Sequence, residues 1–223
     1  MKRQATGRLA DPLYLSAVLY WGLSRVFSLQ VHKVLAVPLS ADTRQRIELP
    51  PGYSFHAVRN IERLSALGPS IEEQLDEQSG LSCRAMLARG DRIYAIVESD
   101  RVACQVNIRR GPLTVDSPSD LAFDFRNGDL FLNYLHTRED YRGKGLATKL
   151  IRLACADAAD QQAMRCFSHV RATNHASLAA FRRCGWEEVA RILSTRSGRF
   201  IAAPGCAAAG MKVTKLSGAG SSA

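Results

Sequence analysis

The 223-residue chain contains no uncharged apolar run that reaches the ~18 residues of a membrane-spanning helix. It has no C-x-x-C pair among its six cysteines, and none of them stands at zinc-ligand spacing from a histidine. That argues against a structural metal or a disulfide framework. Cys83, Cys104, Cys155, Cys166, Cys184 and Cys206 read instead as reduced, small core-filling residues of a cytoplasmic protein. A composition of 46% hydrophobic and 23% charged residues excludes a mostly disordered chain. The length fits one domain with an extension, or two very small ones, at about 150 residues per domain. A chain of this size buries about 70% of its unfolded surface and needs no covalent staple.

Charge is present in excess and unevenly placed. The formal net charge is +9. Residues 1–52 carry 7 basic and 3 acidic side chains, residues 53–137 carry 9 and 12, and residues 138–223 carry 14 and 6. A basic C-terminal part suggests a phosphate-bearing ligand, a nucleic acid, an acidic protein or an anionic membrane surface, or serves solubility alone.

Residues 12–31 are strongly apolar. Asp11 then Pro12 make a helix start, Leu15, Val18, Leu19, Gly22, Val26 and Leu29 share one helical face, and Ser16, Ser24 and Ser28 line another, joined by Arg25. An amphipathic helix is expected. It packs on its own domain, docks a partner protein or lies in a membrane interface; Arg25 and the lack of a small-x-small cleavage site argue against a signal peptide. A short strand is expected over residues 34–39, and Pro38, Pro50 and Pro51 mark a linker. The expected domains are an extension at 1–50, the main domain at 51–205 and a tail at 206–223, whose Gly/Ser-rich end is flexible by composition.

In the main domain, short strands and helices alternate. Strands are expected at 53–59, 92–98, 102–109, 129–137 and 165–173, and a closing hairpin at 188–195 and 199–203. Helices are expected at 61–78 with a break near Gly68-Pro69, from Leu146 onward, and at 175–184 up to Gly185. Residues 111–128 read as a loop or a poorly formed segment. Residues 129–173 form a right-handed βαβ unit with parallel strands. The rest is antiparallel, which makes the class mixed α/β (α+β).

Between that first strand and its helix stands Arg142-Gly143-Lys144-Gly145-Leu146-Ala147. A helix N-terminus offers unpaired N–H groups and partial positive charge, and glycines let a ligand approach the backbone. Arg142, Lys144 and Lys149 add full charges, so residues 142–148 make a pyrophosphate cradle. The spacing is neither a P-loop nor the dinucleotide G-x-G-x-x-G, because residue 148 is Thr.

This turn resembles the acetyl-CoA motif Gln/Arg-x-x-Gly-x-Gly/Ala of the GCN5-related N-acetyltransferases (GNAT). Asn174-His175-Ala176-Ser177, then Phe181, then Gly185-Trp186 resemble that family's second signature. The resemblance covers roughly residues 53–203. It implies a mostly antiparallel GNAT sheet with a parallel cofactor unit, and acetyl-CoA or another acyl-CoA as cosubstrate, with no metal. Backbone groups near Leu135 and Thr137 would pair with the pantetheine arm, and an N–H near Leu135 would face the developing oxyanion. The turn from Arg142 through Gly143, Lys144, Gly145, Leu146 and Ala147 to Thr148 would hold the pyrophosphate. Asn174 would touch the cofactor, and Ser177 and Phe181 would lie near the thioester.

The catalytic pattern departs from the family's. Phe181 stands where many relatives place a proton-donating tyrosine. Simple alternation puts Asp129, Phe131, Asn133 and Leu135 on the face toward the acceptor, with His136 on the opposite face. Asp129 is the ionisable candidate, a loop-edge carboxylate being its plainer reading, and Asn133 the candidate for orienting a water. His169 reads as a packed strand residue and His175 as a helix-start group. The first reading is therefore an acyl-CoA-dependent N-acyltransferase acting on an amine-bearing small molecule or protein. A noncatalytic acyl-CoA sensor is the alternative, and a transferase peripheral to the inner membrane face acting on an envelope sugar or lipid precursor is a variant of the first. No nucleic-acid partner is expected, since the basic part carries no aromatic-interleaved stripe. Acceptor identity, acyl-chain length and oligomeric state, a homodimer included, stay open.

Overall fold

A computed structural model describes residues 29–39, 47–115, 121–159 and 161–216. The expected helix over 12–31 lies outside the described residues, apart from its last three positions. Those three belong to a strand, β1, which runs Leu29–Pro38.

The remaining elements follow in chain order. Strand β2 spans Tyr53–Val58. Helices α1 (Ile61–Ala66), α2 (Pro69–Ser79) and α3 (Cys83–Ala88) come next. Then come β3 (Arg92–Glu98), β4 (Arg101–Arg110), β5 (Leu113–Val115), β6 (Leu121–Asp124) and β7 (Asp129–Thr137). A short 3-10 turn at Glu139–Tyr141 leads to α4 (Leu146–Ala159). Strand β8 (Arg165–Arg171), helix α5 (His175–Arg183), and strands β9 (Glu187–Thr195), β10 (Phe200–Ala202) and β11 (Lys212–Lys215) complete the described chain.

Local chemistry sets the helix ends. Asn60 and Ser82 accept from the Arg63 and Ala85 amides and cap α1 and α3. Pro69 opens α2 and Gly80, at φ 68°, closes it, which is the break expected at Gly68-Pro69. Asn174 accepts from the Ser177 amide and caps α5.

Eight strands make one sheet in the order β10-β9-β1-β8-β7-β4-β3-β2, and β11-β6-β5 make a second. The β7–β8 pair is parallel and the other pairings are antiparallel. This is the expected mixed class with its βαβ unit. Strand β3 is buried on both faces and sorts its residues between them: Tyr94 and Ile96 join Leu146, Leu150 and Ala154 of α4, while Ile93, Ala95 and Val97 join Leu64, Leu75 and Met86 of α1–α3. Further along the sheet, Phe131 and Phe167 lie with Leu121, Phe123 and Met211 under the small sheet. One face thus carries α4 and α5. The other carries α1–α3 at one end and the small sheet at the other.

Three expectations change. Residues 111–128 are not a plain loop, because Leu113, Val115, Leu121 and Phe123 alternate inward and form β5 and β6. The boundary drawn at residue 50 leaves out β1, which lies between β8 and β9 and pairs with both. Its Val34 and Leu35 are buried on opposite faces of the sheet. The boundary drawn at 205 leaves out Cys206, Met211 and β11, which pack with Phe123 and pair with β6.

Candidate functional site

Strands β7 and β8 pair over three rungs only, Asp129–Arg165, Leu130–Cys166 and Phe131–Phe167. Beyond Phe131 they diverge. The edge of β7 that faces β8 then has no strand partner among the described residues, which leaves backbone groups near Leu135 open on that side, while the Thr137 carbonyl accepts from Arg142.

At the point of divergence β7 carries a bulge. Asn133 stands opposite Asn107 and His136 opposite Gln105, so Tyr134 and Leu135 together face Val106. Tyr134 adopts φ 53°, an uncommon conformation for a tyrosine. The extra residue reverses the alternation. Leu135 packs with the α4 core, and Thr137 Oγ1 lies 3.1 Å from Cys104 Sγ of that core. His136 therefore shares a face with Asn133, contrary to the expected opposite orientation. Burial, then Arg142 and Arg138, holds the His136 imidazole below its ordinary value.

The glycine turn follows. Gly143 and Gly145 have φ +79° and +73°, and a Cβ on either would meet nothing within 4 Å. Glycine is needed here for the left-handed backbone, and the space beside it is open. Leu146, Ala147 and Thr148, which open α4, line the same space. Lys144 Nζ lies 4.7 Å above the Tyr141 ring and 3.3 Å from the Tyr53 hydroxyl. Arg142 donates to the Thr137 carbonyl at 3.2 Å, and Lys149 to the Glu48 carbonyl at 2.7 Å.

A cavity of about 670 Å³ runs along this turn, lined by Leu135, His136, Thr137, Arg142, Gly143, Gly145, Leu146, Ala147, Thr148, Asn174, Ser177 and Arg183. A second, of about 390 Å³, lies across the divergence and shares Leu135, Asn174 and Ser177 with the first. Phe131, Asn133, Tyr134 and Phe181 line it from β7 and α5, His32 from β1, His169 and Arg171 from β8, and Leu113 and Val115 from β5. Another cavity, of about 560 Å³, opens at the β2 edge between Phe55, Arg59, Arg63 and Asp157, away from the turn.

The residues expected at the site divide clearly. All the cofactor-binding candidates except Lys144 and Phe181 line the first cavity; Lys144 sits at its rim against Tyr141, and Phe181 lines the second. The Asn174 side-chain oxygen is occupied in capping α5, accepting from the Ser177 amide at 3.1 Å. Phe181 is 1% exposed, its ring 4.8 Å edge-on from Trp186. Asn133 lines the second cavity, its Oδ1 buried and without a hydrogen-bond partner among the described residues. Asp129 does not join it. Its carboxylate is 3% exposed and bound by Arg165, and it lines neither cavity. His32 and Arg171 carried no signal in the sequence. His32 lies about a hundred residues from the turn and reaches it only through the pairing of β1.

Among the described residues, no group of three or more His, Cys, Asp or Glu could hold a metal ion, and no helix is long and apolar enough to cross a membrane.

Known proteins provide a comparison for this geometry. The profile of the Acetyltransferase (GNAT) family matches residues 55–186. Among solved structures, an acetyltransferase of the GNAT family from Novosphingobium aromaticivorans is similar with a TM-score of 0.50 and 14% identity, over 85% of this chain and 66% of that one. A GCN5-related N-acetyltransferase from Sphaerobacter thermophilus is similar with a TM-score of 0.50 and 13% identity, over 82% of this chain and 56% of that one. At such identity the likeness concerns the fold, and this chain spans less than two thirds of either structure. No curated protein matches in sequence. The family match covers more than half of the chain, including the β7 bulge, the glycine turn and the helix capped by Asn174: the chain belongs to the GNAT acetyltransferase family.

Proposed function

We propose that the protein is an acyl-CoA-dependent N-acyltransferase that moves an acyl group, acetyl first among the candidates, to an amine acceptor. The observation that carries this reading is the junction of the two cavities at Leu135, Asn174 and Ser177, where β7 and β8 part. One cavity has the glycine turn and the α4 amides for a pyrophosphate, and the other has room for a second substrate.

The residues fit that cosubstrate. The open space beside Gly143 and Gly145 admits phosphate oxygens to the amides of residues 143–148. The free β7 edge near Leu135 and Thr137 takes the pantetheine arm as an added strand. An amide at the bulge faces the acyl oxygen and stabilises charge that develops there. Asn133 orients the acceptor or a water, and Arg142, Lys144 and Arg183 supply positive charge along the cradle. Phe181 shields the thioester end from water and donates no proton. The thiolate leaves without a side-chain acid from α5, and this same feature supports the second reading, a noncatalytic acyl-CoA sensor. The acceptor and any membrane or protein partner of residues 12–31 belong to the proposal as open classes, and so does a cytoplasmic location.

Calorimetric titration with acetyl-CoA, longer acyl-CoAs and free CoA tests this, beside Gly145→Glu, which puts bulk and negative charge into the cradle. Micromolar binding that the variant loses, with thiol release on adding amines, is the expected result. Binding without turnover on any amine selects the sensor. No binding by the folded protein removes both readings.

A further inference from the structure

His32 is 1% exposed, yet neither ring nitrogen has a hydrogen-bond partner among the described residues. Buried polar atoms are rarely left so, and an unpaired buried group marks a place where a ligand or water completes the structure. His32 lines the second cavity, and so does His169 on the neighbouring strand. Their ring centroids are 5.4 Å apart, with a tilt of 34°. Another polar group in this wall, Asn133 Oδ1, is buried and, like the His32 ring, without a hydrogen-bond partner among the described residues. The rings of Phe123 and Phe131 flank His169 at 6.0 and 5.6 Å and keep the pair in an aromatic wall.

We propose that His32 and His169 are the proton-accepting pair of the acceptor site, taking the proton that the attacking amine nitrogen releases. The inference rests on the acyltransferase reading above. His32 comes from β1, outside the residues 55–186 that match the family, so the group belongs to this chain's own sheet order.

The step balances as follows. The neutral amine nitrogen attacks the acyl carbon and forms the C–N bond, and the carbonyl pair moves to oxygen. The nitrogen now carries positive charge, and an imidazole nitrogen takes one of its protons. The oxyanion re-forms the carbonyl, the C–S bond breaks, and its electron pair leaves on sulfur. The imidazolium passes its proton through the cavity mouth to solvent or the thiolate, giving amide and thiol.

The surroundings suit that role. Burial, then His169, then the Arg171 guanidinium push the His32 imidazole down to about 4, so the ring is neutral at neutral pH and able to accept. A base this weak does not strip a free alkylammonium, but a nitrogen already bonded to the acyl carbon is far more acidic. The groups around His32 are His169 and Arg171 on β8, Ile192 opposite on β9, and Gln30 beside it on β1; Asn133 on β7 completes the cavity wall.

The test uses acetyl-CoA with benzylamine or hydroxylamine as acceptor, read as thiol release, with CoA affinity measured by calorimetry. His32→Gln and His169→Gln each lower kcat roughly 100-fold and leave CoA affinity unchanged. The double variant is no slower than the slower single one, because the pair acts as a unit. In His32→Ala, added imidazole restores turnover in proportion to its neutral form, which a structural role would not produce. A second arm needs no substitution. In ring 15N spectra of the unmodified protein with CoA bound, benzylamine shifts the His32 and His169 signals, and these spectra decide if the variants do not fold. A kcat within about twofold in both Gln variants, silent ring signals, or CoA binding without amine turnover overturns the pair. Failure of the unmodified protein to bind CoA is a separate result, which removes the acyltransferase reading and this one with it.

Discussion

Asp129 and Arg165 face each other across the first rung of the parallel β7–β8 pair and close a two-pronged ion pair, Nη2 to Oδ2 at 2.6 Å and Nε to Oδ1 at 3.0 Å. Arg165 also donates to the Ala209 carbonyl at 3.1 Å and lies 4.9 Å from the Phe167 ring centre. The pair fastens the closed end of the strands that part at the site, and it ties the segment before β11 to them. Removing the carboxylate leaves a half-buried guanidinium short of its partner. Asp129→Ala therefore costs about 2–3 kcal/mol in urea unfolding, less than a fully buried pair because Arg165 is partly solvated. CoA affinity stays within about twofold, since Asp129 lines neither cavity.

Gly143→Ala and Gly145→Ala separate backbone strain from ligand space. Each places a Cβ on a residue at positive φ, which costs about 1–2 kcal/mol. Neither Cβ meets protein, so the folded structure survives. CoA affinity falls by roughly 100-fold or more, because the methyl occupies room that a phosphate needs. Thermal unfolding and calorimetry on the same samples read the two effects apart.

His32 makes the fold acid-sensitive. Its imidazole titrates at about 4 in the folded chain against 6.5 when unperturbed, chiefly through burial. Below pH 6.5 the unfolded chain takes up the proton and the folded chain does not, so stability falls as the pH drops from 6.5 towards 4. The group accounts for about 2 kcal/mol of loss between pH 7.5 and pH 5. His32→Gln flattens that part of the profile. Urea midpoints at the two pH values, in both proteins, give the difference.

The thiols should be slow. Burial pushes Cys104 up to about 12, and Cys184 and Cys206 up to about 11, and raises Cys83 and Cys166 as well. Cys184, the only one of the six that is not fully buried, donates to the Thr148 carbonyl at 3.4 Å. At pH 8 the folded protein therefore reacts with an aromatic disulfide reagent over hours, and all six thiols react within minutes in denaturant. Fast labelling of any cysteine in the folded state contradicts this. The slow background also makes free-thiol detection a clean assay for released CoA.

The elements legible in the sequence are those whose pattern is local. The break at Gly68-Pro69, the stop of α5 before Gly185 and the apolar run from Leu146 each report on a few neighbouring residues, and each stands as expected. The glycine turn was legible for the same reason, since Gly143 and Gly145 are needed by the backbone they occupy. Short strands with two or three inward residues were not. Leu113, Val115, Leu121 and Phe123 read as part of a loop until β11 is seen to pair with β6 from ninety residues away. A three-residue strand carries too little pattern to be told from a turn.

What the sequence by itself determined is one side of the two cavities: a strand, a glycine turn, a helix start and a second helix, between residues 129 and 183, all dictated by backbone conformation and local pattern. What only the tertiary structure decided is the second cavity. The bulge at Tyr134 moves His136 onto the face of Asn133 and turns Leu135 to the other, because one unpaired residue reverses every later side chain in a strand. The pairing of β1 between β8 and β9 brings His32 beside His169. Strand pairing over such separations is settled by the burial of whole faces against one another, and no single stretch of chain records it.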